Sequence, residues 1–188
     1  IRGNRGQFWP PWEVSFLCDI LASMFEVLAF VYENFYAEDS CPEPAHLQRK
    51  LSGVGFDPEE IADALDWLTG LGNAARFAKP AVAAIPTVLP SAGFHLPTTD
   101  SMRIYSPREQ IHLKPECIGY LHFLDHAGIT PAHIREVVLE RAMAVQEGPV
   151  SLDELKIIIL MVFWSVGQEP DALALDELCE THETRTIH

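Results

Sequence analysis

An uninterrupted run of apolar residues near the C-terminus constrains the fold of this chain. The segment Ser151–Val166 reads SLDELKIIILMVFWSV, and Ser151 with Glu154 has the spacing of a capping box that begins a helix. Residues 157–164 are all apolar, so this helix has no polar face and belongs inside a domain or in lipid. The run is well short of the roughly 20 apolar residues that span a bilayer. The segment therefore predicts a central helix surrounded by other helices.

The composition is that of a folded, acidic protein. The chain has 188 residues, of which 48% are hydrophobic, and its formal net charge is −14. This charge disfavours sequence-independent binding to nucleic acid, which requires clustered Lys and Arg. The cysteines form no CxxC pair, so we expect reduced thiols in a cytoplasmic protein; they are Cys18, Cys41, Cys117 and Cys179.

The sequence divides into four predicted parts. Residues 1–23 are interpreted as a non-native or disordered extension, and acids interrupt the apolar stretch that follows, which argues against a membrane helix. Residues 24–106 form a winged-helix-like unit with a long Pro/Ala-rich wing loop at about 80–100. Residues 107–183 form a helical bundle, and residues 184–188 are a tail.

Three helices are predicted in the first of these units. The apolar spacing indicates helices at Met24–Tyr36 and about Ala45–Leu51. A third helix starts at Asp57, which suits an N-cap ahead of a proline, and we expect Gly70 and Gly72 to end it.

Two short strands complete the predicted wing. We expect them near Ala75–Ala78 and at Met102–Tyr105. Alternation along the second strand points Ile104 toward the core and Arg103 and Tyr105 away from it. The predicted fold class is therefore mainly α: a winged helix-turn-helix-like unit with a small two-stranded wing, followed by a C-terminal helical bundle.

The bundle is predicted from five helical segments with short connections, which favour antiparallel neighbours. Proline, Ser or Thr stands at the start of most of them, as helix N-termini prefer. They cover about 107–112, Pro115–His126, Pro131–Gln146, Leu152–Val166 and Pro170–His182.

The third helix, in the position that usually reads DNA in a winged helix, carries five acids and no base in DPEEIADALDWL. Phosphates would be repelled, so a protein-facing use is favoured. A modest basic strip remains as a candidate partner-binding surface, with scattered solubilising charge as the alternative: Arg49, Lys50, Arg76, Lys79 and Arg103. Tyr105 beside Arg103 can anchor a partner protein, or the two can stack locally or pair with an acid.

No motif for phosphate, dinucleotide or catalytic metal binding occurs, so we assign no catalytic residue and no cofactor. The best metal candidate is His122 with His126, because residues four apart share one helix face. Two surface histidines are the simpler interpretation. Cys117 is more than two helical turns from His126 and is not expected to reach the same ion.

Six segments in a fixed order resemble the bacterial Smg family. The most specific is SMRIYSPREQ at Ser101–Gln110. The others are MFEVLAFVYENFY (24–36), GFDPEEIADALDWL (55–68), ECIGYLHFL (116–124), REVVLERAMA (135–144) and SLDELKIIILMVFWSVG (151–167). The resemblance implies a small cytosolic bacterial protein that begins at the methionine matching Met24, and it supplies no enzymatic activity.

The favoured function is therefore a non-enzymatic cytosolic adaptor that binds an unidentified protein partner, with translation or nucleic-acid processing as its candidate setting. Two alternatives stay open. One is an RNA- or DNA-binding winged-helix protein that uses the basic strip. The other is a metal-dependent enzyme that uses His122 and His126.

Overall fold

Six α-helices form the described part of the chain. The computed structural model describes residues 23–36, 44–78, 103–146, 148–168 and 178. The helices are α1 (Ser23–Phe35), α2 (Pro44–Val54), α3 (Pro58–Ala78), α4 (Pro107–His126), α5 (Ala132–Met143) and α6 (Leu152–Val166).

Helix α6 lies at the centre of the molecule. It contacts α1, α3, α4 and α5, and residues 155–163 are all buried. Its N-terminus has the predicted capping box, in which Ser151 and Glu154 exchange hydrogen bonds, and Gly167 ends it in the left-handed conformation (φ 70°). The prediction of a helix surrounded by other helices is confirmed.

The hydrophobic core is continuous from α1 to α6. Helix α3 connects the two halves of the sequence, because it contacts α1 and α2 on one side and α5 and α6 on the other. The core also includes Leu178, which is 3% exposed. The predicted tail at 184–188 lies outside the described residues, as does the predicted extension at 1–23 except for Ser23, which begins α1. Of the predicted helix Pro170–His182 only Leu178 is described, and the division at residue 106 stays a prediction.

The predicted two-stranded wing is wrong for the residues that the structure describes, since they contain no strand. Ala75–Ala78 belong to α3, which continues past Gly70 and Gly72 rather than ending there. The helix continues because Leu71, Ala74 and Ala75 repeat with helical spacing on its buried face, and this burial outweighs the low helix propensity of glycine.

The second predicted strand is an irregular segment in the residues that the structure describes. Residues 103–106 have no regular secondary structure, and Met102 and the loop at 80–100 lie outside the described ranges. The predicted orientation is also reversed, because Tyr105 is 6% exposed whereas Ile104 is 88% exposed.

Helix α4 is broken at Lys114, which separates the two segments predicted at 107–112 and 115–126. Lys114 has φ 58° and ψ 163°, a backbone conformation used essentially by glycine. It precedes Pro115, which lacks an N–H and disfavours helical geometry in the residue before it. Holding a lysine in this conformation costs about 1–3 kcal/mol.

The described helices include none that is both long enough and apolar enough to cross a bilayer.

Candidate protein-interaction surface

A chain of alternating charges joins the segment before α4 to α5 and to the end of α4. The Nη2 atom of Arg103 lies 2.8 Å from Oε1 of Glu109, and its Nε lies 3.0 Å from Oε1 of Glu136. The Nε of Arg135 lies 3.2 Å from the same Glu136 oxygen, and its Nη1 lies 2.8 Å from Oδ2 of Asp125. We call these five residues the Arg103 cluster.

The position of Glu109 follows from the local sequence. Ser106 is the N-cap of α4, and its backbone N–H donates to Glu109 Oε2 at 2.7 Å, while the Glu109 N–H donates to the Ser106 hydroxyl at 3.4 Å. This capping box directs the carboxylate toward Arg103. The hydrogen bond from Arg103 is the main reason that the pKa of Glu109 falls from 4.5 to about 2.

Tyr105 lies beneath the cluster. The guanidinium of Arg103 lies 4.8 Å from the centre of the tyrosine ring, and the ring of His122 meets it edge-on at 5.5 Å. Its buried hydroxyl has no hydrogen-bond partner among the described residues. Burial raises the pKa of Tyr105, and the nearby Asp125 carboxylate adds to this effect.

Ile104 lies between these two anchored residues and points to solvent. Its exposure is 88%, and Ile111, in the first half of α4, is 75% exposed. The backbone around Ile104 is held by the ion pairs of Arg103, by the buried ring of Tyr105, and by Gln110 Nε2, which donates to the Tyr105 carbonyl at 2.8 Å. The result is an exposed apolar side chain on a backbone that its neighbours hold in place.

The sequence left two uses open for Arg103 and Tyr105: anchoring a partner protein, or making local contacts. The structure shows local contacts for both residues. Arg103 pairs with acids and Tyr105 packs inward. Sequence reasoning did not identify Glu136, which is 33 residues from Arg103. No signal in the spacing connects the two, because they meet only through the packing of α5 beside α4.

The other members of the basic strip lie on α2 and at the end of α3. Arg49, Lys50 and Arg76 are exposed, and Lys79 lies outside the described residues. The Nε of Arg49 donates to a backbone carbonyl of its own helix at 3.3 Å, and the Lys50 ammonium lies 4.2 Å from the centre of the Phe35 ring. No hydrogen bond or ion pair within the described ranges joins them to the contacts of Arg103. Partner binding by this strip stays a prediction.

The predicted metal ligands have separate surroundings. His122 packs against Tyr105, and His126 is exposed at the end of α4. The part of the chain that the structure describes contains no group of three His, Cys, Asp or Glu side chains that could hold a metal ion. Cys117 is buried and its thiol donates to the Val150 carbonyl at 3.4 Å; burial raises its pKa to about 12, which leaves it protonated.

An open depression at the other side of α3 is lined by acids. Glu26 of α1 joins Asp57 and Glu60 at the start of α3, around Val54 and Phe56. Asp57 and Glu60 cap α3, since the Glu59 N–H donates to Asp57 at 2.9 Å and the Asp57 N–H donates to Glu60 at 3.3 Å. Because all three ionisable side chains are acids, this end of the molecule repels phosphate.

Comparison with known proteins shows that most of this chain is similar to one protein family. The family model described as "Protein of unknown function (DUF494)" matches residues 24–188. The chain is 48% identical over 167 residues to the "Protein Smg homolog" of Leptothrix cholodnii, which covers 88% of this chain and 100% of that protein. It is 48% identical over 165 residues to the Smg homolog of Methylibium petroleiphilum and 39% identical over 165 residues to that of Bordetella avium, with the same coverage. No solved structure matches.

Proposed function

The chain belongs to the DUF494 family of Smg homologues, and we propose that it is a non-enzymatic adaptor that binds a partner protein through Ile104 and the surface around it. The resemblance inferred from the sequence segments is confirmed by these relatives, whose names state no activity. The proposal therefore depends on the chemistry of the surface.

The observation that carries the proposal is the exposure of Ile104 between two fixed neighbours. Burial of a large aliphatic side chain in an interface contributes about 1.5–3 kcal/mol. Binding through a residue whose backbone is already held costs less conformational entropy than binding through a mobile loop. Ile104 meets both conditions, because Arg103 and Tyr105 hold the backbone on either side of it.

Ile111 is a second exposed apolar residue, and it enlarges the apolar area that a partner protein can contact. It lies one turn and a half into α4, seven residues after Ile104, and is 75% exposed. In this interpretation Arg103 and Tyr105 are positioning residues rather than direct contacts. The same proposal includes a role in translation or nucleic-acid processing. The class of protein that is captured as the partner tests that role.

The experiment is an affinity pull-down with crosslinking from native lysate at several growth states, using the wild-type chain and Ile104→Asp. The matched control is Val54→Asp, which makes the same chemical change at a residue of α2 that is 55% exposed. We expect the wild type and Val54→Asp to capture one reproducible partner and Ile104→Asp to lose at least tenfold of it. A partner that Ile104→Asp captures as well as the wild type, or no reproducible partner at all, would count against the proposal.

A further inference from the structure

We propose that residues 103–113, which we call the arm, form a hinged strap that detaches from the helical bundle and closes onto it as one unit, with Lys114 as the hinge. The arm consists of the irregular residues 103–106 and the first half of α4. The proposal concerns the isolated chain, so it does not depend on the partner proposed above.

The hinge is a break in the hydrogen-bonded helix. Pro115 cannot donate a backbone hydrogen bond to the arm, and Lys114 holds φ 58° and ψ 163°. A lysine reaches this conformation only where surrounding contacts impose it. Because the strain exists only while the arm is docked in this position, its release favours the detached state.

The contacts that hold the arm down are few and mostly polar. Arg103 bonds to Glu136 of α5 at 3.0 Å, the His112 ring nitrogen Nε2 lies 3.0 Å from the Ala142 carbonyl, and the Val150 N–H donates to the His112 carbonyl at 2.8 Å. Tyr105 and Leu113 supply the buried apolar contacts at its two ends. Their burial keeps the closed state dominant, and the detached state is a minor one.

The internal bonds of the arm survive detachment. Arg103 bonds to Glu109 within the arm, Ser106 and Glu109 form the capping box, and Gln110 bonds to the Tyr105 carbonyl. The arm therefore moves as a small folded unit rather than unravelling. Since Ile104 lies on it, detachment removes the fixed presentation of that side chain, and a ligand that needs Ile104 in place would bind the closed state only.

Native-state hydrogen exchange of the full chain tests the proposal. The most direct reporter is the Val150 amide, whose hydrogen bond to His112 exists only while the arm is docked. We expect the amides of Val150 and of the α4 residues before Lys114 to exchange at least tenfold faster than the buried amides of α6. Their exchange rate should depend little on denaturant concentration, because it occurs through local detachment of the arm.

Three variants separate the strap from general destabilisation. Arg103→Gln should speed exchange at Val150 and in the arm about tenfold and leave α6 unchanged, because it removes the bond to α5. Lys114→Gly should slow the same amides about fivefold by relieving the backbone strain. Glu140→Gln, on the same helix as Glu136 but paired with Arg141, should change neither.

Exchange of Val150 and the arm at the same rate as α6 would overturn the proposal, as would Arg103→Gln accelerating every amide equally. An increase rather than a decrease of arm exchange in Lys114→Gly would overturn the hinge. Each measurement uses the chain alone, so failure to find a partner would refute the adaptor function and leave the strap standing.

Discussion

The Arg103 guanidinium joins two acids that lie on different elements, Glu109 at the start of α4 and Glu136 on α5. Both Arg103 and Glu109 are partly buried, with side-chain exposures of 19% and 17%, so their pairing is less screened by salt than an exposed pair. The charged residues that determine the local structure are therefore Arg103 and Glu109, which are paired and partly buried. The exposed cations of the predicted strip lack this environment.

Glu109 makes stability depend on pH. Its pKa is about 2 in the folded protein and 4.5 in the unfolded chain, so its contribution is present above about pH 4.5 and is lost as the pH falls toward 2. Glu109→Gln keeps an acceptor for the capping box but loses the ion pair. We expect this variant to be less stable than the wild type at pH 7, with the difference shrinking between pH 4.5 and 2.

Urea unfolding followed by circular dichroism at several pH values measures this difference. Glu140→Gln is the control, because it makes the same substitution at an exposed acid, with a side-chain exposure of 60%. A constant difference between Glu109→Gln and the wild type from pH 7 to pH 2 would show that the ion pair is not the cause.

Helices α3 and α5 interlock through one glycine and one arginine. A Cβ atom at Gly70 would lie 3.0 Å from Cζ of Arg141 and still closer to its Nη1. The same guanidinium donates to the Trp67 carbonyl at 3.3 Å, and the Trp67 indole N–H donates to the Arg141 carbonyl at 3.1 Å. Gly70 is thus a place of close approach between two helices, which explains why position 70 is a glycine and not a residue with a side chain.

The two glycines of α3 should respond oppositely to alanine. Gly72 has nothing within 4 Å of an added Cβ, so Gly72→Ala should raise the free energy of unfolding by about 0.5–1 kcal/mol through helix propensity. Gly70→Ala should lower it by about 1–2 kcal/mol, because the Arg141 side chain, only 11% exposed, has to move.

Chemical denaturation of both variants measures these changes, and Gly72→Ala is the matched control because it makes the same substitution in the same helix. In Gly70→Ala/Arg141→Ala the two effects should not add, since the clash is gone. If Gly70→Ala stabilised the protein as much as Gly72→Ala, the interlock would be refuted.

The whole molecule combines an apolar centre with a strongly negative charge. The formal net charge is −14, and α6 supplies the buried centre. The ion pairs of the described residues include none with the acids at the start of α3. The net negative charge therefore disfavours the compact state through repulsion. The fold tolerates this repulsion because one core extends through all six helices.

Salt should therefore stabilise the protein. Raising NaCl from 10 to 150 mM shortens the Debye length from about 30 Å to about 8 Å, which weakens long-range repulsion more than the partly buried Arg103 pairs. We expect the thermal midpoint to rise by about 2–4 °C, on the order of 1 kcal/mol for a chain of this size.

Calorimetry across this range measures the effect, and Asp66→Asn should reduce the slope because it removes one exposed acid of α3. A thermal midpoint that falls with salt would mean that attractive ion pairs outweigh the repulsion.

Local patterns in the sequence determined the helical elements of this protein. The capping box and the apolar run define α6, and Ser106 with Glu109 define the start of α4. The proline at 115 marks the break in α4. These features were predictable because each depends on residues within one or two turns of each other.

Only the tertiary structure showed that the described residues contain no wing, and only it showed which residues form the candidate surface. Burial on α5 and α6 carries α3 past Gly70 as a helix, where local propensity predicted an end and a strand. The packing of α5 beside α4 brings Glu136 to Arg103 across 33 residues, turns Tyr105 inward and leaves Ile104 exposed. The sequence by itself carries the periodicity of each helix, but contacts between distant residues depend on how the helices pack, and no local spacing encodes that arrangement.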